Sequence, residues 1–257
     1  MAQTGCRQAG EDSVLENVGA RVMTDPYGEP HTIQFAYRAE IPETLEELPE
    51  TIQVLELQGT PVDTGSLESW KQLPGLHTLD LTATGVGASA LPVLAEFTHL
   101  EVLRLDSTKI QGPGLLELAN LKKLKTLGLG NCKIQPDAIA QLSSLKQLRS
   151  LDLRSTGLTD DSLAALAQLP RLEWLWLSGN RITDKGLAHL RNLTGLKGLY
   201  LNHTLVSVNG LSALETLRNL ETLWLVNRRI NHNHVAYLRS ILPEECAINV
   251  RLPANNP

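Results

Sequence analysis

The chain has 257 residues, 20% of them charged and 4% aromatic, with a formal net charge of −5. An acidic balance without a stripe of lysine and arginine excludes nucleic acid as the principal partner. No apolar run reaches the roughly eighteen residues of a membrane-spanning helix, and three scattered cysteines do not make a disulfide framework.

In chain order, residues 1–10 read as a flexible tail. The opening MAQTGCRQAGED lacks the apolar core of a signal peptide. Thr4-Gly5-Cys6 has the small-Gly-Cys form that stands before a lipoprotein cleavage site, but with no apolar leader before it Cys6 is read as a free thiol of the tail. As given, the sequence reads as cytoplasmic; it reads as exported or lipid-anchored if a leader before Cys6 has been removed. Residues 11–51 are expected to form an N-terminal cap. Glu11 to Val18 predicts a short helix, and Arg21 to Thr24 and Thr32 to Tyr37 predict two strands around the turn Asp25-Pro26-Tyr27-Gly28. Ile33, Phe35, Ile41, Leu45 and Leu48 then form a degenerate repeat covering the end of a core. The glutamates at 40, 43, 46, 47 and 50 are read as a solvated face of that cap.

From residue 52 to 243 one pattern recurs every 24 residues. Its clearest copy is LEWLWLSGNRITDKGLAHLRNLTG, Leu172 to Gly195, with apolar residues at Leu172, Leu175, Leu177, Ile182, Leu187, Leu190 and Leu193. The other units open at Ile52, Leu76, Leu100, Leu124, Leu148, Leu196 and Leu220, which makes eight. The alternation through Leu175 and Leu177 has the period of a half-buried strand, and the steps of three through Leu187, Leu190 and Leu193 have that of a helical turn. The ninth place holds Thr60, Thr84, Thr108, Cys132, Thr156, Asn180 and Thr204, able to hydrogen-bond backbone where the chain leaves each strand; Arg228 breaks the column. Asp63, Thr159, Thr183, Ser207 and Asn231 stand where helices should begin and are suitable N-caps. The fifteenth place is small in most units (Ser66, Ala90, Gly114, Ala138, Ser162, Gly186, Gly210), which lets neighbouring helices approach, and His234 holds it in the last.

The motif L-x-x-L-x-L-x-x-[N/C/T]-x-L at this period resembles the leucine-rich repeat family, in a form similar to bacterial 24-residue repeats. The resemblance covers residues 52 to 242 and implies an α/β fold: a right-handed solenoid, or horseshoe, with a parallel β-sheet on its concave face, short helices on its convex face and a cap at each end. One unit cannot bury its apolar side alone, so the units must stack into one elongated domain. After the helix Val235 to Leu242, residues 244–257 are expected to supply a capping strand, AINVRL from Ala247 to Leu252 with Ile248 and Val250 inward, and a loose tail from Pro253.

In each unit the third, fifth and seventh places alternate with the buried leucines and face the concave side. The fifth places read Glu56, Asp80, Arg104, Gly128, Asp152, Trp176, Tyr200 and Trp224; the seventh read Gln58, Thr82, Asp106, Gly130, Arg154, Ser178, Asn202 and Val226. Trp174, in a third place, lies close to Trp176, and only Trp70 of the four tryptophans falls at a core position. The concave face thus divides into a charged N-terminal half and an aromatic C-terminal half. Exposed tryptophan, tyrosine and arginine dominate binding hot spots. Trp174, Trp176, Tyr200 and Trp224 are therefore expected to anchor an unidentified protein or peptide, with Asp152, Arg154, Arg104 and Asp106 setting its orientation. A glycan stacked on the same row is the alternative, and mutual packing of the rings the structural explanation.

No motif for catalysis or a cofactor assembles: the seven histidines form no zinc-protease pattern, no G-x-S-x-G elbow occurs, and no glycine-rich phosphate loop follows a strand. His232 and His234 lack a third metal ligand nearby. Asn192-Leu-Thr194 and Asn202-His-Thr204 match the glycosylation triplet and are read as accidental. The sequence thus predicts a monomeric, non-enzymatic interaction scaffold without cofactor or metal. A passive spacer would leave the concave tryptophans unexplained.

Overall fold

The computed structural model describes residues 19–40, 48–227, 229–230 and 232–250, with the side chain of His232 left out. The expected helix from Glu11 to Val18, Ile41, Leu45, Arg228, Asn231 and the tail from Pro253 lie outside the described residues.

One sheet runs through the structure with its strands in chain order: β1 (Ala20–Thr24), β2 (Pro30–Phe35), β3 (Val54–Glu56), β4 (Thr78–Asp80), β5 (Val102–Arg104), β6 (Thr126–Gly128), β7 (Ser150–Asp152), β8 (Trp174–Trp176), β9 (Gly198–Tyr200), β10 (Thr222–Trp224) and β11 (Ala247–Asn249). β1 and β2 pair antiparallel, and every later neighbour pairs parallel. The turn between β1 and β2 is fixed by Asp25, whose Oδ1 accepts from the Tyr27 and Glu29 amides, and by Gly28 at φ +85°. The register follows the leucines: Leu55, Leu79, Leu103, Leu127, Leu151, Leu175, Leu199 and Leu223 lie side by side, with Ile33 before them and Ile248 after.

These leucines are fully buried, as are the other apolar columns, in one continuous core that ends at Ala20 on one side and Cys246 on the other. Trp70 is part of it. Burying one such side chain contributes roughly 1.5–3 kcal/mol, but each layer is closed only by the layers beside it, so the array is stable as a stack.

The returning side of each unit is helical and short. The segments Thr64–Trp70, Leu91–Leu94, Asp160–Leu166, Asp184–His189 and His232–Ile241 are α-helical, whereas Leu115–Asn120, Pro136–Ser144, Leu190–Asn192 and Val208–Thr216 wind as 3-10 helix. In the 3-10 segments the column residues Leu115, Leu118 and Leu121, or Leu211, Leu214 and Leu217, eclipse one another at three residues per turn, while other units meet the same step of three with an α-helical turn.

The ninth-place residues are buried and bond backbone as their chemistry requires. The hydroxyls of Thr60, Thr84, Thr108, Thr156 and Thr204 donate to the carbonyls of Leu57, Leu81, Leu105, Leu153 and Leu201, and the Cys132 thiol donates to the Leu105 carbonyl. Asn180 does more: its Nδ2 donates to the carbonyls of Leu153 and Leu177, and its Oδ1 accepts from the amides of Thr156, Gly157 and Leu158. In the last unit the role passes one place earlier, to Asn227, which donates to the Val206 carbonyl and accepts from the Arg229 amide.

Besides bounds shifted by up to three residues, as in Pro30–Phe35 for the expected strand Thr32 to Tyr37 and His232–Ile241 for the expected helix Val235 to Leu242, three details depart from the sequence-based expectation or add to it. Asp63, Thr183 and Ser207 accept from the amides of Ser66, Lys185 and Asn209, but Thr159 makes no such side-chain cap bond. The small fifteenth places of two units serve an aspartate as well as helix approach. Asp160 binds the amide and hydroxyl of Thr183, Asp184 binds those of Ser207, and a Cβ at Gly186 or Gly210 would collide with the carboxylate concerned. The eighth place is left-handed in seven units, occupied by Gly59, Ala83, Ser107, Asn131, Ser155, Gly179 and His203.

Candidate binding face

Each concave side chain owes its direction to the leucines on either side of it. Because Leu175 and Leu177 turn inward, Trp174, Trp176 and Ser178 must turn outward, and the same alternation projects Tyr200 and Trp224 from the next two strands. The register places Asp152, Trp176, Tyr200, Trp224 and Asn249 in one line across β7 to β11.

The four aromatic rings are nearly parallel. Centroids lie 6.3 Å apart for Trp174 and Trp176, 5.1 Å for Trp176 and Tyr200, and 6.3 Å for Tyr200 and Trp224, with interplanar angles of 22°, 18° and 12°. These separations fall in the range of offset stacking. The rings therefore cover part of one another: Trp174, Trp176 and Tyr200 are half-buried, and Trp224, at the end of the row, is 38% exposed. Gly198 opposite Trp174 makes room for the indole, because a Cβ there would strike its ring. Beyond Trp224 the row meets Asn249, and a hollow of about 440 Å³ opens between Asn202, His203, Trp224, Val226, Asn249 and Val250.

The charged half is not a uniform field of free ions. Asp80 is buried, holding the Gln58 amide at 2.8 Å and the Thr82 N–H at 2.9 Å. Asp152 is engaged by Arg154, whose Nε lies 3.0 and 2.8 Å from its two oxygens and whose own N–H donates at 2.9 Å; this pairing raises the Arg154 pKa. Asp106 reaches across β6, where Gly128 and Gly130 carry no side chain, and its Oδ1 accepts from the Gly130 amide at 2.7 Å. Burial, and then the neighbouring Asp152 carboxylate, push Asp106 above the usual carboxylate range, against the pull of the Gly130 amide and Arg154. The structure thus brings Asp106, Asp152 and Arg154 together. Arg104 is exposed on β5 and makes no ion pair with any described residue.

The tight fit of Asp106 over two glycines and of Trp174 over a third was not deduced from the sequence, although glycine in consecutive concave places was the signal for the first. A second unread feature lies at the strand starts, where Lys125 pairs with Glu101 at 2.6 Å, Glu173 pairs with Lys197 at 3.0 Å, and Arg149 pairs with Glu173 as well. These exposed bridges each contribute little to stability. Among the described residues no group of three or more histidine, cysteine or acidic side chains could hold a metal ion, and no helix is long and apolar enough to cross a membrane.

A parallel sheet of inward leucines backed by short helices, presenting an open face of outward side chains, defines a leucine-rich-repeat horseshoe. The leucine-rich repeat region family matches residues 77–248, and the chain belongs to it. Among solved structures it is similar to internalin C2 of Listeria monocytogenes, at 24% identity over 79% of this chain and 88% of that one, with a TM-score of 0.63. The internalin inlF from the same bacterium aligns at 18% identity over 93% and 88%, with a TM-score of 0.55. The ectodomain of the Arabidopsis thaliana receptor kinase GASSHO1/SCHENGEN3, solved with Casparian strip integrity factor 2, aligns at 22% identity over 82% of this chain and 26% of that one, with a TM-score of 0.56. No curated sequence gives a significant match.

Proposed function

We propose that this protein is a non-enzymatic scaffold that binds a protein or peptide on its concave face. Trp174, Trp176, Tyr200 and Trp224 anchor the partner, and Asp106, Asp152, Arg154 and Arg104 orient it. The observation that carries this reading is the line of aromatic rings across three adjacent strands, ending at an exposed indole beside a hollow. Packing between rings contributes about 0.2–1 kcal/mol per pair and does not call for tryptophan at the open end. The Arabidopsis receptor kinase HAESA, similar in fold, was solved with the peptide hormone IDA and the co-receptor SERK1, and the GASSHO1/SCHENGEN3 ectodomain with Casparian strip integrity factor 2, which supports a protein or peptide partner.

A glycan fits this geometry less well. A sugar ring needs a free aromatic face, and along this row the facing surfaces are shared by neighbouring rings, leaving the outer side of Trp224. The deciding experiment captures partners from lysate and from an envelope fraction on the intact chain and on a Trp176→Ala, Trp224→Ala double variant, followed by mass spectrometry, with a glycan array in parallel. A protein held by the intact chain and lost by a variant that still unfolds cooperatively, its transition lowered by no more than the loss of three ring contacts explains, supports the reading; hot-spot aromatics typically cost 2 kcal/mol or more each when truncated, roughly thirtyfold in affinity. Capture that ignores both tryptophans, or a glycan signal that depends on them, overturns it.

A further inference from the structure

We propose that the partner presents an extended segment with a lysine or arginine seated against Asp106 above β6, and an apolar or aromatic side chain in the hollow beside Trp224, about five to seven residues away. This rests on the peptide-binding reading above and names the chemistry of the peptide.

The charge on the concave face decides the sign. Its fifth and seventh places carry four carboxylates, Glu56, Asp80, Asp106 and Asp152, against two guanidiniums, Arg104 and Arg154. Three of the four carboxylates already have side-chain partners: Glu56 takes the Gln34 amide, Asp80 takes Gln58, and Asp152 takes Arg154. Asp106 is the exception. One of its oxygens holds a backbone amide and the other has no hydrogen-bond partner among the described residues; of the charges that act on it, the Asp152 carboxylate outweighs Arg154, which is itself bound to Asp152. An incoming ammonium or guanidinium would form a charge-assisted hydrogen bond with that oxygen and neutralise the repulsion from Asp152. Gly128 and Gly130, lacking side chains, let the Asp106 carboxylate lie over β6, and they raise no side chain of their own beside it.

Geometry sets the spacing. From β6 to β10 is four strand steps of about 4.8 Å, roughly 19 Å, and an extended peptide covers about 3.3 Å per residue, which gives about six residues. A segment crossing the strands would lie along Trp176 and Tyr200 on the way, with its second anchor against Trp224, which lines the hollow. The C-terminal half offers no charge in these places, only Trp176, Ser178, Tyr200, Asn202, Trp224 and Val226, so the basic and apolar ends of the segment have a defined direction.

The test pans a phage-displayed random dodecapeptide library against the intact chain, Asp106→Asn and Trp224→Ala. Intact protein should enrich peptides with lysine or arginine five to seven residues from tryptophan, phenylalanine, tyrosine or leucine, and Asp106→Asn should lose the basic preference while keeping the apolar one. A synthetic copy of an enriched peptide, measured by fluorescence anisotropy, should bind Asp106→Asn at least tenfold more weakly and weaken further in high salt, with both proteins showing intact thermal transitions. Enrichment of acidic peptides, which would select Arg104 instead, or of apolar peptides without a basic residue, overturns this proposal and leaves the peptide-binding reading standing. If no peptide is enriched and the glycan array responds, both fail.

Discussion

Asn180 is the point at which the stack should be most sensitive to the loss of a few atoms. Its side chain bonds five backbone groups, two of them its own unit's or the preceding unit's carbonyls and three the amides of the preceding loop. In Asn180→Ala, the Leu153 carbonyl keeps the Thr156 hydroxyl and Gly157 lies in an exposed position. The Thr156 and Leu158 amides and the Leu177 carbonyl are left without that partner in buried residues. At about 1–3 kcal/mol for each unsatisfied buried group, reduced by a water entering the vacated space, the expected cost is about 3–5 kcal/mol. Asn180→Thr restores the bond to Leu177 that the other ninth-place threonines make, but not the reach into the preceding unit, and should cost about 2–3 kcal/mol. Thr204→Ala, which removes one hydroxyl bond, sets the scale at about 1 kcal/mol. Urea unfolding followed by circular dichroism gives all three. An Asn180→Ala loss no greater than that of Thr204→Ala would refute the idea that this asparagine ties two units together.

Ala83 holds φ +58° without the freedom of glycine, so Ala83→Gly should stabilise the fold by about 0.5–1 kcal/mol, after the greater entropy of the unfolded glycine is subtracted; a lowered melting temperature would contradict the strain. The Ser162 hydroxyl is buried with no hydrogen-bond partner among the described residues, and the equivalent places of two other units hold alanine, so Ser162→Ala should gain about 1 kcal/mol in the same assay. Asp106 has a folded pKa above its unfolded value, so its ionised form opposes folding above the folded pKa. That penalty disappears as pH falls through the folded value and below the unfolded one. Asp106→Asn should therefore unfold at a higher temperature than the parent at pH 7, with the difference shrinking toward zero on acidification; a difference that grows in acid would show the sign to be wrong.

The sheet and its core were legible because the leucines repeat at one spacing, and a row such as Leu151, Leu175 and Leu199 can be placed in register by counting. The ninth column was legible for the same reason, down to its interruption at Arg228, although not its replacement by Asn227, since a shift of one place is invisible to a fixed period. The eighth place shows the opposite case. Alanine, serine, asparagine, histidine and glycine share no chemistry that announces a left-handed residue, and the backbone demand appears only when the units are superposed in space. The candidate face was readable as composition but not as contact: alternation placed Trp176, Tyr200 and Trp224 outward, whereas their stacking, and the way Asp106 lies down over Gly128 and Gly130, depend on side-chain torsions that periodicity does not contain.

The stacked rings sit on neighbouring strands, so their separations are tied to the pitch of the stack itself. Any opening or tightening of the horseshoe must slide Trp176, Tyr200 and Trp224 relative to one another, and coupled electronic transitions respond steeply to such displacement. The near-ultraviolet circular dichroism of this row is thus an intrinsic strain gauge, in which flexing of the C-terminal arc is recorded optically without a label.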